Sequence, residues 1–429
     1  MTAFIVPITV PEAKNTERFG PKAANVAALG QAGFPIPTGF CLGADAYRYQ
    51  LTSLGLEADA RGAFGSDDGA RARRHALSMK LGFMDRPIAP QILEPLLEAR
   101  RKLIDDTGAL MVVRSSALVE DRSGSSFAGQ FESFVGLESE VDFVTAVRAC
   151  WAALWSTRAL RYMATHDLDP ADTAMAILVQ PLVSAIASGG GLSQTADGGM
   201  LLSATWGLGS AIAQGEVTPD RYELTAAGRL IRIVAGRKDH LVGCVHKAEP
   251  VAQIVPKALI EKPCLGRSQI EELAALLRRT ATFMNLPVEI EWALDDRGFR
   301  MLQARPLHVQ AAEVPDDIWL HHPRLTGHPA GVGWGEGRAR IVNCECELTT
   351  VNHGDVLVTK SAGPALAHIL PRVAAVVAER GGSTSHLASL ARERGIPMVL
   401  GVHEATQKIP DGAMIAVDGV AGIVRWMHS

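Results

Sequence analysis

Nowhere does the sequence stay apolar long enough to span a membrane. Its start, MTAFIVPITVPEAKN, has no basic leader and too short an apolar stretch for a secretory signal. Aromatic residues make up only 5%, and the formal charge of −4 shows no excess of basic groups, which argues against a nucleic-acid partner or an acidic membrane surface. H-E-x-x-H, G-x-S-x-G and P-loop motifs are all missing, so the corresponding zinc, serine-hydrolase and Walker-type sites are excluded. There is no internal repeat. Cysteine is sparse: of six, only Cys344 and Cys346 lie close together, and without a second pair nearby they do not make a metal site. Reduced thiols and a cytoplasmic location are the expectation.

What is present is length. A chain of 429 residues exceeds one ordinary core and implies two to four domains. A helix pattern runs from Ala24 to Ala32 behind a glycine-lysine turn. Residues 57–80 are polar, glycine-bearing and weakly periodic, and read as a mobile surface segment. A strand, LMVVRSSA, leads into a small-residue loop, EDRSGSSFAGQFES. A long helical stretch covers about 139–164, strand-and-turn alternation continues to about 255, a helix covers about 268–284, and a hairpin follows at 287–305. Residues 307–325 lack periodicity and read as a linker. The last hundred residues, with short β runs between glycine turns, form a separate small unit. Its G-W-G-E-G at 333–337 precedes no helix pattern and reads as a turn, not a dinucleotide loop.

Several charged or amide groups punctuate apolar strands. Lys22 follows Gly20-Pro21, Arg114 ends LMVV, and Gln180 ends MAILVQ. Glu289, Glu291, Gln303 and Arg305 occupy two arms of the hairpin. Lysine and arginine suit phosphate, glutamate and glutamine oxygens suit Mg²⁺, and the loop at 123–129 can offer backbone N–H groups. Each also has a plain reading: a solvated lysine, an Arg114 paired with Glu120 or Asp121, a satisfied buried amide, an exposed hairpin face. Together they describe a nucleotide–Mg²⁺ site in which strands and loops replace a P-loop. In GGSTSHLASLARERGIP, His386 stands at a helix start behind hydroxyl residues. That place serves either a capping turn or a phosphate-accepting imidazole.

Seven ordered stretches carry a resemblance: FGPKAANVAALGQAGFPIPTGF, VRSSALVEDRSGSSFAGQFESF, WAALWSTRALRYM, LVQPLV, WGLGSAIAQGEVTPDRY, VEIEWALDDRGFRMLQARPL and GGSTSHLASLARERGIPMVLGV. With them the chain resembles the phosphoenolpyruvate synthase, pyruvate phosphate dikinase and rifampicin phosphotransferase superfamily. The resemblance implies an α+β and α/β multidomain fold. A two-lobed ATP-grasp domain (lobes at 1–190 and 191–310) and a linker (311–325) would precede a small β/β/α swivelling phosphohistidine domain (326–429). It implies ATP and Mg²⁺ as cofactors. Lys22, Arg114 and Arg305 would contact phosphates, Gly129 and Ser133 would line the phosphate loop, and Gln180 would meet adenine. Glu291 and Gln303 would hold Mg²⁺, with Glu289 a weaker candidate, and His386, supported by Thr384, would carry the phosphoryl group.

The activity so implied is a dikinase-type phosphotransfer. A phosphoryl group passes from ATP to His386 and on to a small-molecule acceptor, leaving AMP and phosphate. Two alternatives stand beside it: a subunit that loads His386 for a separate acceptor-domain protein, and a non-catalytic binding module. No acceptor module is recognisable in the sequence. Three residues depart from the pattern: Pro21 in place of glycine, Pro181 after Gln180, and Leu387 after the histidine. Strand periodicity adds one expectation of its own. A three-residue turn, Asp296-Arg297-Gly298, sets Glu291 opposite Gln303 and Glu289 opposite Arg305.

Overall fold

The computed structural model describes residues 3–63, 69–120, 131, 133–165, 168–195, 198–242, 252–307, 319 and 322–427. The chain divides into two compact units. The first holds Met1–Val183 with Arg300–Gln303, and the second holds Ser184–Gly243, Val251–Phe299 and Ala304–Ser429.

The first unit is built on a five-stranded antiparallel sheet in the order Ile5–Pro7, Phe40–Leu42, Met175–Pro181, Met111–Ala117, Ser133–Leu137. The two longer inner strands are mostly buried, which is why MVV and MAILV read as unbroken apolar runs. Helix Thr16–Gln31 lays Phe19, Ala23, Val26 and Ala27 against Cys41 and Leu178.

Residues 57–80 correct the sequence reading, because they are largely helical: Glu57–Gly62 and Gly69–Asp85. In the longer helix the buried side chains Ala76, Met79 and Phe83, with Gly82 beside them, make a narrow i, i+3, i+7 stripe that a polar surround obscures in the sequence. Asp59 joins the two helices by accepting from Ser78 Oγ at 2.9 Å and meeting His75 Nδ1 at 2.7 Å. The stretch at 139–164 is likewise two helices, Glu140–Ala153 and Thr157–Thr165.

The second unit carries two large sheets and a two-stranded one, His240–Val242 with Ala252–Ile254. One is six-stranded and antiparallel, in the order Gly298–Pro306, Val288–Asp295, Ala187–Leu192, Met200–Trp206, Asp220–Leu224, Leu230–Val234. The other has eight strands, among them the parallel run Trp334–Val342, Val356–Thr359, Ala375–Ala378, Met398–Leu400. Its core is Val356, Val358, Val377, Val399, Val417 and Val424 with their neighbours. G-W-G-E-G mostly belongs to the first of these parallel strands. The expected linker lies largely outside the described residues, and its end, Arg324–Thr326, is a strand paired with Ile423–Trp426.

Cys344 and Cys346 form a disulfide, which corrects the expectation of uniformly reduced thiols, while Cys41, Cys150 and Cys264 are buried thiols outside any disulfide. Among the described residues no helix is long and apolar enough to cross a membrane.

Candidate active site

In the first unit, Lys22 owes its position to a break in its helix. Gly20 has φ 71°, and a Cβ there would meet the Ser116 carbonyl oxygen at 2.6 Å, so only glycine fits. Pro21 then restarts the helix at a position where its missing N–H has no partner to lose. Ser116 spans the break: its hydroxyl donates to the Phe19 carbonyl at 2.7 Å and accepts from the Ala23 amide at 3.1 Å. Pro21, a departure from the pattern, thus fits this turn. Lys22 Nζ donates to the Ser115 carbonyl and pairs with Glu120 Oε1, both at 3.0 Å. Glu120 is buried, and its other oxygen accepts from the Ala117 amide at 3.0 Å. Burial pushes its carboxyl above the ordinary range, against the pull of Lys22.

Arg114 stands opposite Ser133 in the strand register. Its Nη1 donates to the Leu302 carbonyl at 2.6 Å and its Nη2 to Gln303 Oε1 at 2.8 Å. Glu120 is therefore hydrogen-bonded to Lys22, ninety-eight positions away, and Arg114 is bonded to the hairpin strand. The Gln180 amide is buried and donates to the Pro37 carbonyl at 2.9 Å. Gly129 lies outside the described residues.

The hairpin carries the second unit's polar groups. Its turn holds two residues, Asp296 and Arg297, instead of the expected three. The Trp292 and Phe299 rings meet at 5.4 Å, as that short turn requires. Toward the other end, however, Leu307 donates to the Pro287 carbonyl and Arg305 Nη2 reaches Glu289 Oε2 at 3.1 Å, one residue out of step with the turn. The strand therefore takes up one extra residue between Phe299 and Leu307, a bulge of the kind that re-aims side chains beside functional sites. The expected Glu289–Arg305 pairing is present, reached by a bulge and not by a longer turn.

This pair extends into the histidine helix, His386–Glu393. Ser385 caps that helix by accepting from the Ala388 amide at 3.2 Å, and His386 is its first residue. Ser389 Oγ lies 3.1 Å and 3.2 Å from the two Glu289 oxygens and 2.5 Å from Arg305 Nη2. Arg392 Nη2 pairs with Glu289 Oε2 at 3.0 Å, and its Nη1 donates to the carbonyls of Ser383 and Ala330 at 2.6 Å and 3.2 Å. All four side chains are buried. Burial alone would push the Glu289 carboxyl up, but Arg305 and Arg392 together with Ser389 hold it below the ordinary carboxylate range.

Thr384 Oγ1 lies 2.7 Å from Ser203 Oγ, and Leu387, at 2% exposure, packs inward. Thr384 sits on the glycine strand Ala187–Leu192, where a Cβ on Gly190 would come within 2.5 Å of the threonine. Gly190 is the cross-strand partner of half-buried Glu291. The histidine turn, Glu291 and the Glu289 network are thereby assembled within one unit.

The oxygens of Glu291 and Gln303 suit Mg²⁺, which takes one or two side-chain oxygens and completes its octahedron with water and phosphate. Among the described residues there is no group of three or more histidine, cysteine or acidic side chains that could hold a metal ion.

An antiparallel six-stranded sheet followed by a mixed eight-stranded one, with a histidine at a helix start, defines a class: a multidomain α/β chain whose last region bears that histidine. The chain belongs to the pyruvate phosphate dikinase family. That family's AMP/ATP-binding domain matches residues 16–320, and the mobile domain of PEP-utilising enzymes matches residues 351–422. The chain is 31% identical to phosphoenolpyruvate synthase of Aeropyrum pernix, over 94% of this chain and 56% of the relative. It is 30% identical to a probable phosphoenolpyruvate synthase of Methanothermobacter thermautotrophicus (94% and 61%) and 29% identical to the Escherichia coli phosphoenolpyruvate synthase (97% and 56%). It thus spans little more than half the length of these relatives.

Sequence reasoning missed Ser389 and Arg392. Their signal is spacing: His386, Ser389 and Arg392 recur every three residues, a polar stripe beside the inward-facing Leu387, Leu390 and Ala391.

Proposed function

We propose that the chain is an ATP-dependent phosphotransferase that phosphorylates His386 and passes the phosphoryl group to a small acceptor. For the acceptor, the relatives' name, phosphoenolpyruvate synthase, points to pyruvate. By the family resemblance Lys22, Arg114 and Arg305 would contact the ATP phosphates, with Ser133 and Gly129 at the phosphate loop and Gln180 at the base. Glu291 and Gln303 would hold Mg²⁺, which when bound neutralises phosphate charge. The observation that carries the reading is His386 as first residue of a capped helix, where free backbone N–H groups and the helix dipole favour a phosphoryl group. Thr384 would hold the loaded group by its hydroxyl.

The test is to incubate the chain with Mg²⁺ and labelled ATP, and to follow AMP release and acid-labile label at His386. His386→Ala should bind ATP and release no AMP by this route. Undiminished acid-labile labelling in His386→Ala would refute the assignment. Loaded His386 that turns over only when a second protein is added would favour the alternative, a subunit serving a separate acceptor-binding protein.

A further inference from the structure

The phosphate-binding reading of Arg305 leaves one fact unused: in the described structure Arg305 already shares a carboxylate with another arginine, and that arginine belongs to the histidine helix. Glu289 Oε2 lies 3.1 Å from Arg305 Nη2 and 3.0 Å from Arg392 Nη2. Ser389 touches all three partners: Arg305 at 2.5 Å, Glu289 at 3.1 Å and Arg392 at 3.2 Å. Arg392 also grips the turn before His386 through the Ser383 carbonyl. It is therefore fixed to the backbone that positions the histidine at one nitrogen, and to the nucleotide-lobe strand at the other.

We propose that Arg392, with Ser389, is a positioning residue for phosphoryl transfer to His386. By sharing Glu289 with Arg305 it docks the histidine helix on the nucleotide lobe, and it takes Glu289 over when phosphate draws Arg305 away. The docking is thereby coupled to the occupancy of Arg305. A carboxylate between two guanidiniums is fully compensated by either one in bidentate contact, so the exchange need not strand a buried charge. With the site empty, Arg305 competes for Glu289. With a polyphosphate bound, Arg305 is satisfied by phosphate and the Glu289–Arg392 contact tightens. The inference rests on the phosphotransfer reading above.

The test separates affinity from rate. In Arg392→Gln, ATP binding measured by calorimetry should stay within about threefold of wild type. The first-order rate of His386 labelling at saturating ATP should fall about 100-fold, the scale of a misplaced reacting group. Arg392→Lys, which keeps the charge, should recover part of that loss, and Ser389→Ala should lose about tenfold. Combining Arg392→Gln with Glu289→Gln should cost little more than the worse single change, because both break one contact.

Hydrogen exchange adds a readout that holds even if Arg392→Gln folds poorly. In the wild-type chain, ATP should increase protection of helix His386–Glu393, and in Ser389→Ala this increase should shrink. A wild-type labelling rate in Arg392→Gln, or strictly multiplicative losses in the double variant, would overturn the proposal. So would nucleotide-independent protection in the wild type. If the wild-type chain itself takes no label, the phosphotransfer reading is what fails.

Discussion

Two buried glutamates beside expected phosphate-binding cations behave in opposite ways. Glu120 is ion-paired to one cation, Lys22, with a lesser pull from Arg114, and burial pushes its carboxyl up. Glu289 has two, Arg305 and Arg392, and is held down. Both sit in the interior, at 3% and 4% exposure, so burial does not separate them. The number and kind of partners does. A single ammonium offsets part of the cost of burying a carboxylate, whereas two guanidiniums and a hydroxyl exceed it. The first arrangement ties Lys22 to the Ser115 carbonyl and to Glu120. The second binds a nucleotide-lobe strand to the histidine helix.

The strongest way to break this comparison is to remove each carboxylate. Glu289→Ala strands two buried guanidiniums and should destabilise the chain by about 3–5 kcal/mol, read from urea unfolding of the second unit. Glu120→Ala leaves only Lys22, which is 12% exposed, and the Ala117 amide, and should cost about 1–3 kcal/mol. Equal losses would mean that the partner count is not what distinguishes them.

A smaller effect sharpens the comparison through pH. Glu289 has a depressed value in the folded chain, so its contribution is present above the ordinary carboxylate range and is lost as pH falls through the folded value. Glu120 has a raised value, so its contribution is present below the ordinary range and is lost as pH rises through the folded value. Unfolding midpoints between about pH 3 and about pH 7 should therefore respond oppositely. Glu289→Gln should flatten the loss on acidification, and Glu120→Gln should flatten the loss toward neutrality. Parallel pH profiles for the two variants would contradict the assignment. The smallest effect concerns the disulfide. Cys344→Ser should cost at most about 2 kcal/mol, given so short a loop, and should leave both pH responses unchanged.

Much of this was legible in the sequence where one period dominated. Helix Arg267–Met284 has a clean stripe of Ile270, Leu273, Ala274 and Leu277, and it was read to within a residue. The arginine strand and the glutamine strand announced themselves as apolar runs ending in a polar side chain. Helix Gly69–Asp85 was hidden because a three-residue buried stripe leaves too weak a period among arginines. The Lys22–Glu120 pair joins segments far apart in sequence, and local reading offered Glu120 to the nearer Arg114. The hairpin turn was misjudged by one residue and the bulge restored the register, so the Glu289–Arg305 contact was expected by a wrong route. Arg392 was passed over, because nothing in its neighbourhood of sequence supplies the carboxylate it meets.

The glycine strand Ala187–Leu192 has a consequence for which substitutions selection can tolerate. Along an ordinary buried strand, large side chains are the irreplaceable ones and small residues drift. Here the order is inverted. An added methyl at Gly189 would meet the Ser203 carbonyl oxygen at 1.9 Å, and one at Gly190 would meet Thr384 at 2.5 Å. A saturation scan should therefore find alanine, the mildest change elsewhere, among the harmful replacements at these two positions. The surface that receives the histidine turn is written in backbone, and it can vary only by ceasing to fit.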